Sequence, residues 1–139
     1  MKLVLDQGAV SALADRRSEA QRQVRRAMTA AHRLRRDVAV PTVILAELYR
    51  GGGRDQMVDS LLSRETEALE LRDTDRVLAR LVGGVLAAAH SGSEDLADAH
   101  VVAAAVEAGG GVLLTTDEAD LHRLADPYRT IVVEQLSSR

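Results

Sequence analysis

The sequence alternates between short apolar runs and longer stretches in which apolar residues recur every three or four positions. Runs of the first kind are typical of buried β-strands, and spacing of the second kind is typical of amphipathic α-helices. The apolar runs predict strands at residues 2–5, 38–40, 67–71, 112–115 and 130–133, the last of them at a sheet edge. The helical spacing predicts helices at residues 9–14, 16–36, 42–50, 55–62, 73–90, 95–108 and 120–125.

Taken in order, these elements follow the pattern β-α-α-β-α-α-β-α-α-β-α-β. Strands that alternate with helices form parallel sheets that are covered on both faces. We therefore predict an α/β fold, in which a central, mainly parallel five-stranded sheet is flanked by helices. With 139 residues and no internal repeat, the chain is expected to form a single domain spanning residues 1–139. Right-handed crossovers would place the carboxyl ends of the strands along one rim.

Residues at the predicted helix ends refine this pattern. Pro41 is expected to open the helix at residues 42–50, because proline is tolerated in a first turn. The three glycines at residues 51–53 are expected to end that helix. Asp73 or Thr74 is expected to cap the helix at residues 73–90.

The predicted helix at residues 95–108 is apolar almost all round, which indicates that it is buried. Its first turn nevertheless carries Asp95 and Asp98, which would lie on one helix face. Two interpretations stay open. In the first, Asp95 caps the helix and Asp98 complements the helix dipole, each stabilising the helix by about 0.5–2 kcal/mol. In the second, the rigid helix holds acidic oxygens at the mouth of a cleft, where they bind a divalent cation.

Three further acids stand where the predicted architecture leads to the same rim. Asp6 and Asp117 follow buried strands, and Glu47 lies within an apolar helical turn. Ligands of parallel α/β sheets bind beyond the carboxyl ends of the strands. Four carboxylates packed together without a cation would repel one another, so these three and Asp98 predict a site for Mg²⁺ or Mn²⁺. Such an ion activates water and stabilises charge on phosphate, which implies hydrolysis of a phosphodiester.

Charge is distributed unevenly, although the net charge is only −3. Residues 16–36 contain eight arginines and one glutamate, a net +7 that leaves −10 on the rest of the chain. This segment is either a solvated helix face or a basic arm that contacts a phosphate backbone. The absence of cysteine excludes disulfides and thiolate sites. No apolar run approaches the roughly 20 residues of a membrane span, and no signal peptide is evident, so we expect a cytoplasmic protein.

Four short motifs give the sequence a resemblance to a known family. In order, V-L-D ends at Asp6, A-E-L-Y-R-G contains Glu47, D-L-A-D-A-H-V-V-A-A-A contains Asp98, and L-L-T-T-D-E-A-D-L-H-R-L-A contains Asp117. Together, in this order and spacing, they resemble a PIN domain, and more closely the ribonuclease toxins of VapBC-type toxin–antitoxin modules. The resemblance covers nearly the whole chain. It implies a PIN-like three-layer sandwich and an RNA-cleaving enzyme that a cognate antitoxin holds inactive.

The resemblance also assigns roles to residues of this chain. It implies that four acids bind Mg²⁺ or Mn²⁺ for RNA cleavage, with two supporting acids and one nearby hydroxyl. These are Asp6, Glu47, Asp98 and Asp117 as catalytic and metal-binding residues, Asp95 and Asp120 as supporting acids, and Thr115 as the hydroxyl. One departure concerns the residues after the first aspartate, where the family often has Thr-Ser or Ala-Ser. This chain has Gln7 and Gly8 there, so a hydroxyl near the metal is expected to be missing.

Surfaces for RNA and for partner proteins are predicted from charged and apolar residues. The chain has two Tyr and no Phe or Trp, so base stacking cannot be the main mode of RNA binding. Phosphate contacts from arginines are expected instead. The candidates are Arg22, Arg25, Arg26 and Arg50. Arg50 is also a candidate for contact with the antitoxin, and Tyr49 beside it either makes such contacts or belongs to the core. Apolar residues expected at the surface, Met57, Leu61 and Leu62, are consistent with a homodimer.

Two other functions fit parts of the pattern. A non-catalytic PIN-like module would bind RNA or protein with the same fold, but it would not need the complete set of acids. A phosphoryl-transfer domain of the receiver type would need a lysine late in the chain, whereas the only lysine is Lys2. The four histidines are scattered without the spacing of metal ligands. The sequence therefore favours a metal-dependent endoribonuclease, with the binding module as the alternative.

Overall fold

The computed structural model describes residues 1–137, and the last two residues of the predicted domain, 138 and 139, lie outside the described part of the chain. Five strands are found in residues 1–137: β1 (Lys2–Leu5), β2 (Val38–Pro41), β3 (Glu70–Arg72), β4 (Gly111–Thr115) and β5 (Ile131–Gln135). The same residues form seven α-helices: α1 (Gln7–Ala14), α2 (Glu19–Arg33), α3 (Thr42–Leu48), α4 (Gly52–Arg64), α5 (Arg76–Ala88), α6 (Leu96–Glu107) and α7 (Glu118–Ala125). A short 3-10 helix (Ser93–Asp95) precedes α6. The predicted order of strands and helices is confirmed.

The five strands form one sheet in the order β3-β2-β1-β4-β5, and every neighbouring pair is parallel. The chain moves outward from β1 through β2 to β3, returns across the sheet to β4 and continues to β5. Right-handed crossovers then place α1–α4 on one face and α5–α7 on the other, and the helices pack against one another in these two groups. The predicted three-layer α/β sandwich and the edge position of β5 are confirmed.

The strand order reverses between β1 and β4, which lie side by side at the centre of the sheet. Leu5, the last residue of β1, is paired with Leu114 of β4. In open parallel sheets, ligands bind beyond the carboxyl ends of the strands at such a reversal. Asp6 follows β1 directly and Asp117 follows β4 after one residue, so both acids lie at this position.

Helix α6, whose first turn carries Asp98, is deeply buried. Seven of its residues are buried, among them Val101, Ala103 and Ala105 with no exposed surface. It packs between α5 and α7 and lies against β1 and β4. Because apolar residues surround the whole helix, the core holds it firmly and its first turn has a fixed position. The prediction that this helix is buried is confirmed.

Several predicted boundaries were wrong for local reasons. Helix α2 begins later than the basic run, because the Ser18 hydroxyl caps it by accepting a hydrogen bond from the Gln21 N–H (3.0 Å). Helix α5 is capped by Asp75, whose carboxylate accepts from the Leu78 N–H (2.9 Å), rather than by Asp73 or Thr74. Strand β3 starts three residues later than predicted, because a turn occupies residues 65–68.

The glycines at residues 51–53 do not end α3, which stops at Leu48. Gly51 has a φ of +90°, a left-handed conformation that favours glycine. This residue is the N-cap of α4, and Gly52 is the first residue of that helix. The glycines therefore start a helix instead of terminating one. Helix α4 is also longer than predicted. Its residue Leu61, which was expected at the surface, lies in the core with 1% of its surface exposed.

Candidate functional site

Four carboxylates from four separate elements line one cavity of about 160 Å³ at the carboxyl rim of the sheet. Asp6 lies between β1 and α1, Glu47 in the last turn of α3, Asp98 in the first turn of α6, and Asp117 immediately before α7. Glu94 adds a fifth acid to the lining. The structure thus brings the four predicted acids together, and we call their site the acidic cavity. Their roles as metal ligands stay a prediction.

Asp6 is buried and serves the fold as well as the cavity. Its Oδ1 accepts a hydrogen bond from the Ala9 N–H (2.9 Å), which caps the N-terminus of α1. Burial raises the pKa of Asp6, hydrogen bonds from Thr115 and Ala9 oppose this rise, and the charge of Asp117 adds to it. The cap holds this carboxylate in one orientation at the wall of the cavity.

Asp98 has the most perturbed acidity of these groups. Burial and repulsion from neighbouring acids, led by Asp6, raise the pKa of Asp98 to about 6. No basic side chain among the described residues lines the cavity to offset this repulsion. Asp98 does lie in the first turn of α6, where the helix dipole favours negative charge. The helix dipole does not offset burial and repulsion, because the pKa of Asp98 stays raised. The negative charge of the cavity is therefore not balanced by the protein.

The loop that carries Asp117 is held on two sides. Thr115 is fully buried, and its hydroxyl accepts a hydrogen bond from the Asp117 N–H (2.9 Å). The Gln135 side chain donates to the Thr116 carbonyl (2.6 Å) and accepts from the Glu118 N–H (2.9 Å). Thr115 is therefore close to both Asp6 and Asp117, which agrees with its predicted position near the last acid. The analysis of the sequence missed Gln135, because nothing in the pattern of β5 marks it.

Asp95 occupies the N-cap position of α6, but its side chain makes no capping hydrogen bond to the helix backbone. Its buried carboxylate accepts hydrogen bonds from the Ser91 hydroxyl (2.8 Å) and from Arg123 Nη2 (2.7 Å). Arg123 also contacts Asp120 (3.3 Å). The guanidinium of Arg123 and the Ser91 hydroxyl lower the pKa of Asp95. We call these four residues the Arg123 cluster; Ser91 and Arg123 were missed because they meet Asp95 only through tertiary packing.

Among residues 1–137, the carboxylates grouped closely enough to hold a metal ion are those of Asp95, Asp98 and Asp120, so of the four acids of the cavity only Asp98 belongs to this group. Asp95, Asp98 and Asp120 each offer a carboxylate oxygen within 4.8 Å of the others, so Asp98 joins the Arg123 cluster to the acidic cavity. All of these donors are hard oxygen atoms, which Mg²⁺ and Mn²⁺ prefer. The repulsion that raises the pKa of Asp98 is the cost that a bound cation would remove.

None of the four arginines predicted to bind RNA lines the acidic cavity. Arg22 and Arg26 are exposed on α2 and pair with Glu19 at 2.8 and 3.2 Å. Arg25 pairs with the buried Glu65. Arg50 donates to the backbone carbonyls of residues 46 and 49. Each of the four guanidinium groups thus has a partner within the chain, and their contact with RNA stays a prediction.

No helix formed by residues 1–137 combines the length and apolar character needed to cross a membrane.

Comparisons with known proteins agree with this architecture. The PIN domain family profile matches residues 3–127. The fold is similar to VapBC2 from Rickettsia felis bound to a DNA fragment from their promoter, with a TM-score of 0.67, 16% identity, and coverage of 99% of this chain and 100% of that chain. It is also similar to DNA-bound VapBC from Salmonella typhimurium, with a TM-score of 0.68, 18% identity, and coverage of 97% and 98%. No curated protein matches the chain significantly by sequence. Because the family profile spans most of its length, the chain belongs to the PIN-domain family.

Proposed function

We propose that this protein is a metal-dependent endoribonuclease that hydrolyses phosphodiester bonds in RNA and acts as the toxin of a toxin–antitoxin pair. The observation that carries the proposal is the acidic cavity, where four carboxylates from separate elements meet without a basic partner. PIN domains are generally nucleases. Membership in this family and the unbalanced charge of the cavity both support a nuclease rather than a binding module.

Each acid has a defined part in this proposal. Asp6, Glu47, Asp98 and Asp117 would hold Mg²⁺ or Mn²⁺, with Asp95 and Asp120 as supporting acids. When bound, such an ion supplies a nucleophile at neutral pH and neutralises charge on the reacting phosphate. The chain itself orients the ligands: α1 fixes Asp6 through the Ala9 N–H, and Thr115 fixes the loop at Asp117. This fixed geometry limits reorganisation when the substrate binds.

The test is RNA cleavage by the purified chain with Mg²⁺ or Mn²⁺. Asp6→Asn and Asp98→Asn should lower the cleavage rate by roughly 100-fold or more, because each removes a charged ligand worth several kcal/mol to the transition state. Asp126→Asn is the matched control, since Asp126 is an exposed aspartate beyond the far end of α7. Equal rates for Asp98→Asn and the parent would show that the site is wrong. A parent that binds RNA without cleaving it would be the non-catalytic module.

The antitoxin partner is part of the same proposal. It is supported by the similarity of the fold to two VapBC structures. Induced expression of the parent should stop bacterial growth, while the Asp98→Asn variant should not, because only the cleaving protein is harmful. Normal growth on induction of the parent would contradict the role as a toxin.

A homodimer also stays a proposal, although one of its three supporting residues was misplaced. Leu61 belongs to the core and Leu62 is half-buried, so Met57, with 44% of its surface exposed, is the one exposed residue of the three. Light scattering on the parent and on Met57→Gln would measure the oligomeric state and show whether this face contributes.

A further inference from the structure

Gly8, in the first turn of α1, touches the loop that follows β4. A Cβ atom on residue 8 would lie 2.0 Å from Thr116 Oγ1 and 3.0 Å from Thr116 Cβ. The Thr116 hydroxyl therefore fills the space that a side chain at position 8 would occupy. Gly8 does not have a positive φ, so its backbone conformation does not require glycine. Glycine destabilises a helix relative to alanine, and the close approach of Thr116 explains why glycine is nevertheless present at this position.

The Thr116 side chain stands at the wall of the acidic cavity, beside Asp6 and Asp117 in its lining. It is exposed, and its hydroxyl has no hydrogen-bond partner within residues 1–137. Its backbone is nevertheless held in place, because Gln135 binds the Thr116 carbonyl at 2.6 Å. A hydroxyl that is positioned by the fold but not used by it is available to a ligand of the cavity.

Thr116 also borders a second space, an open groove of about 400 Å³ that runs along α1. Small and hydroxyl-bearing residues line most of this groove, including Ser11 and Ser18, and Asp15 adds one carboxylate to the lining. Gly8 and Thr116 are the residues shared by the groove and the acidic cavity. A polynucleotide strand that continues from the cavity along α1 must therefore pass over the Thr116 hydroxyl.

We infer that Thr116 is a substrate-binding residue, whose hydroxyl donates a hydrogen bond to a phosphate oxygen of the RNA strand at the mouth of the acidic cavity. A neutral donor suits this place, because a hydrogen bond to an ionised phosphate is about twice as strong as one between neutral groups. Gly8 gives Thr116 the room to stand there. The departure at Gln7 and Gly8 thus does not leave the cavity without a hydroxyl, since Thr116 supplies one from the neighbouring loop. This inference rests on the proposed nuclease function.

Substitutions of Thr116 test the hydroxyl directly. Thr116→Val keeps the shape of the side chain and removes the hydroxyl, whereas Thr116→Ser keeps the hydroxyl. Each is assayed for kcat/KM of RNA cleavage with Mg²⁺, and for binding of a fluorescently labelled single-stranded RNA with Ca²⁺ in place of Mg²⁺. Thr116→Val should weaken both by roughly 10- to 100-fold, the value of a hydrogen bond to a charged group. Thr116→Ser should recover most of this loss.

A second pair of variants moves the hydroxyl to the other side of the contact. Thr116→Ala should lose as much as Thr116→Val. Adding Gly8→Ser to Thr116→Ala avoids the 2.0 Å conflict with the hydroxyl but leaves the Cβ of residue 8 about 3.0 Å from the Cβ of residue 116, so the loop must shift slightly and the double variant should regain part of the binding and cleavage. Thermal unfolding midpoints, measured for all variants, verify that they fold. Thr74→Val, at an exposed threonine on the β3–α5 loop, is the matched control.

The possible results separate this inference from the proposed function. Equal cleavage and RNA binding for Thr116→Val and the parent would overturn the role of Thr116 while leaving the nuclease intact. A folded Thr116→Ser that is as weak as Thr116→Val would overturn it as well. A parent that binds RNA through Thr116 but does not cleave it would support the contact and contradict the nuclease. A parent that neither binds nor cleaves RNA would contradict both.

Discussion

Two neighbouring groups of acids at the rim of the sheet balance their charge in opposite ways. In the Arg123 cluster, the guanidinium of Arg123 contacts Asp95 and Asp120 at 2.7 and 3.3 Å, and the pKa of Asp95 is lowered. In the acidic cavity no basic residue of the described chain takes part, and the pKa of Asp98 is raised to about 6. The two groups contain the same kind of side chain. They differ in whether the protein supplies its own cation.

This difference separates a structural role from a candidate functional one. A buried carboxylate with a cation and a hydroxyl donor is satisfied, so Asp95 ties α7 to the start of α6. Carboxylates that repel one another without a partner reduce stability unless a ligand compensates them. The fold therefore carries an unfavourable arrangement at the acidic cavity, which is the expected place for a binding site. Asp98 lines the acidic cavity and also lies within 4.8 Å of the acids of the Arg123 cluster, so variants of Asp98 allow the two groups to be compared.

The largest expected effect is on metal binding. Asp98→Asn should weaken binding of Mg²⁺ or Mn²⁺ by roughly 100-fold or more, because it removes the charge of a direct ligand. Loss of a residue that only supports a ligand already costs about 10- to 100-fold in metal affinity. Calorimetry on the parent, on Asp98→Asn and on the control Asp126→Asn measures this directly. If the parent does not bind either ion, the acidic cavity is not a metal site, and Asp98 only complements the dipole of α6.

The next effect is expected from the Arg123 cluster. Arg123→Ala should lower the free energy of unfolding by more than the loss of an exposed ion pair does, because it leaves the buried carboxylate of Asp95 without its cation. Arg22→Ala is the control: it breaks an exposed pair with Glu19, which should change stability much less because solvent screens that pair. Urea unfolding measures both. An equal, small effect of the two substitutions would remove the distinction between the Arg123 cluster and a surface ion pair.

The two groups should also respond to pH with opposite signs. The raised pKa of Asp98 means that the native state keeps this proton to higher pH than the unfolded chain, so stability falls as pH rises from about 4 to about 6. We expect a loss of about 1–2 kcal/mol, reduced from the full shift because Asp98 is partly exposed. The lowered pKa of Asp95 contributes stability above its ordinary value of 3.8, which is lost as pH falls below it.

Unfolding measured from pH 3 to 7 checks these signs. Asp98→Asn should lack the decline between pH 4 and 6, while the loss at the acid end should remain. Saturating Mg²⁺ should remove the decline in the parent, because the ion binds the ionised carboxylates of the native state. A decline of the same size in Asp98→Asn would assign it to another group.

The smallest effect is expected at Asp120, the exposed member of the Arg123 cluster. Asp120→Asn should change stability by less than about 1 kcal/mol, because its contact with Arg123 is exposed to solvent. It should weaken metal binding by less than about tenfold if Asp120 only supports the ligands. A loss as large as that of Asp98→Asn would instead make Asp120 a direct ligand.

The sequence predicted the acids of the cavity better than it predicted their partners. Asp6 and Asp117 stood out because each follows an apolar strand, and the parallel order of β1 and β4 brings them to one rim. Glu47 and Asp98 stood out because a charged residue is unusual in so apolar a helical turn. Asp95 does lie at the N-cap position of α6, but its carboxylate binds Arg123, which lies 28 residues away along the chain, instead of the helix backbone.

The pattern of apolar and polar residues by itself determined the elements, their order and the parallel sheet, because helix and strand periods are local properties and right-handed crossovers restrict the topology. Only the tertiary structure decided which carboxylates obtain a cation, that Leu61 belongs to the core, and that the Thr116 hydroxyl fills the space above Gly8. Those outcomes depend on distances between segments that lie far apart along the chain. The local pattern of apolar residues does not predict such distances, because they are set only when the helices pack on the sheet.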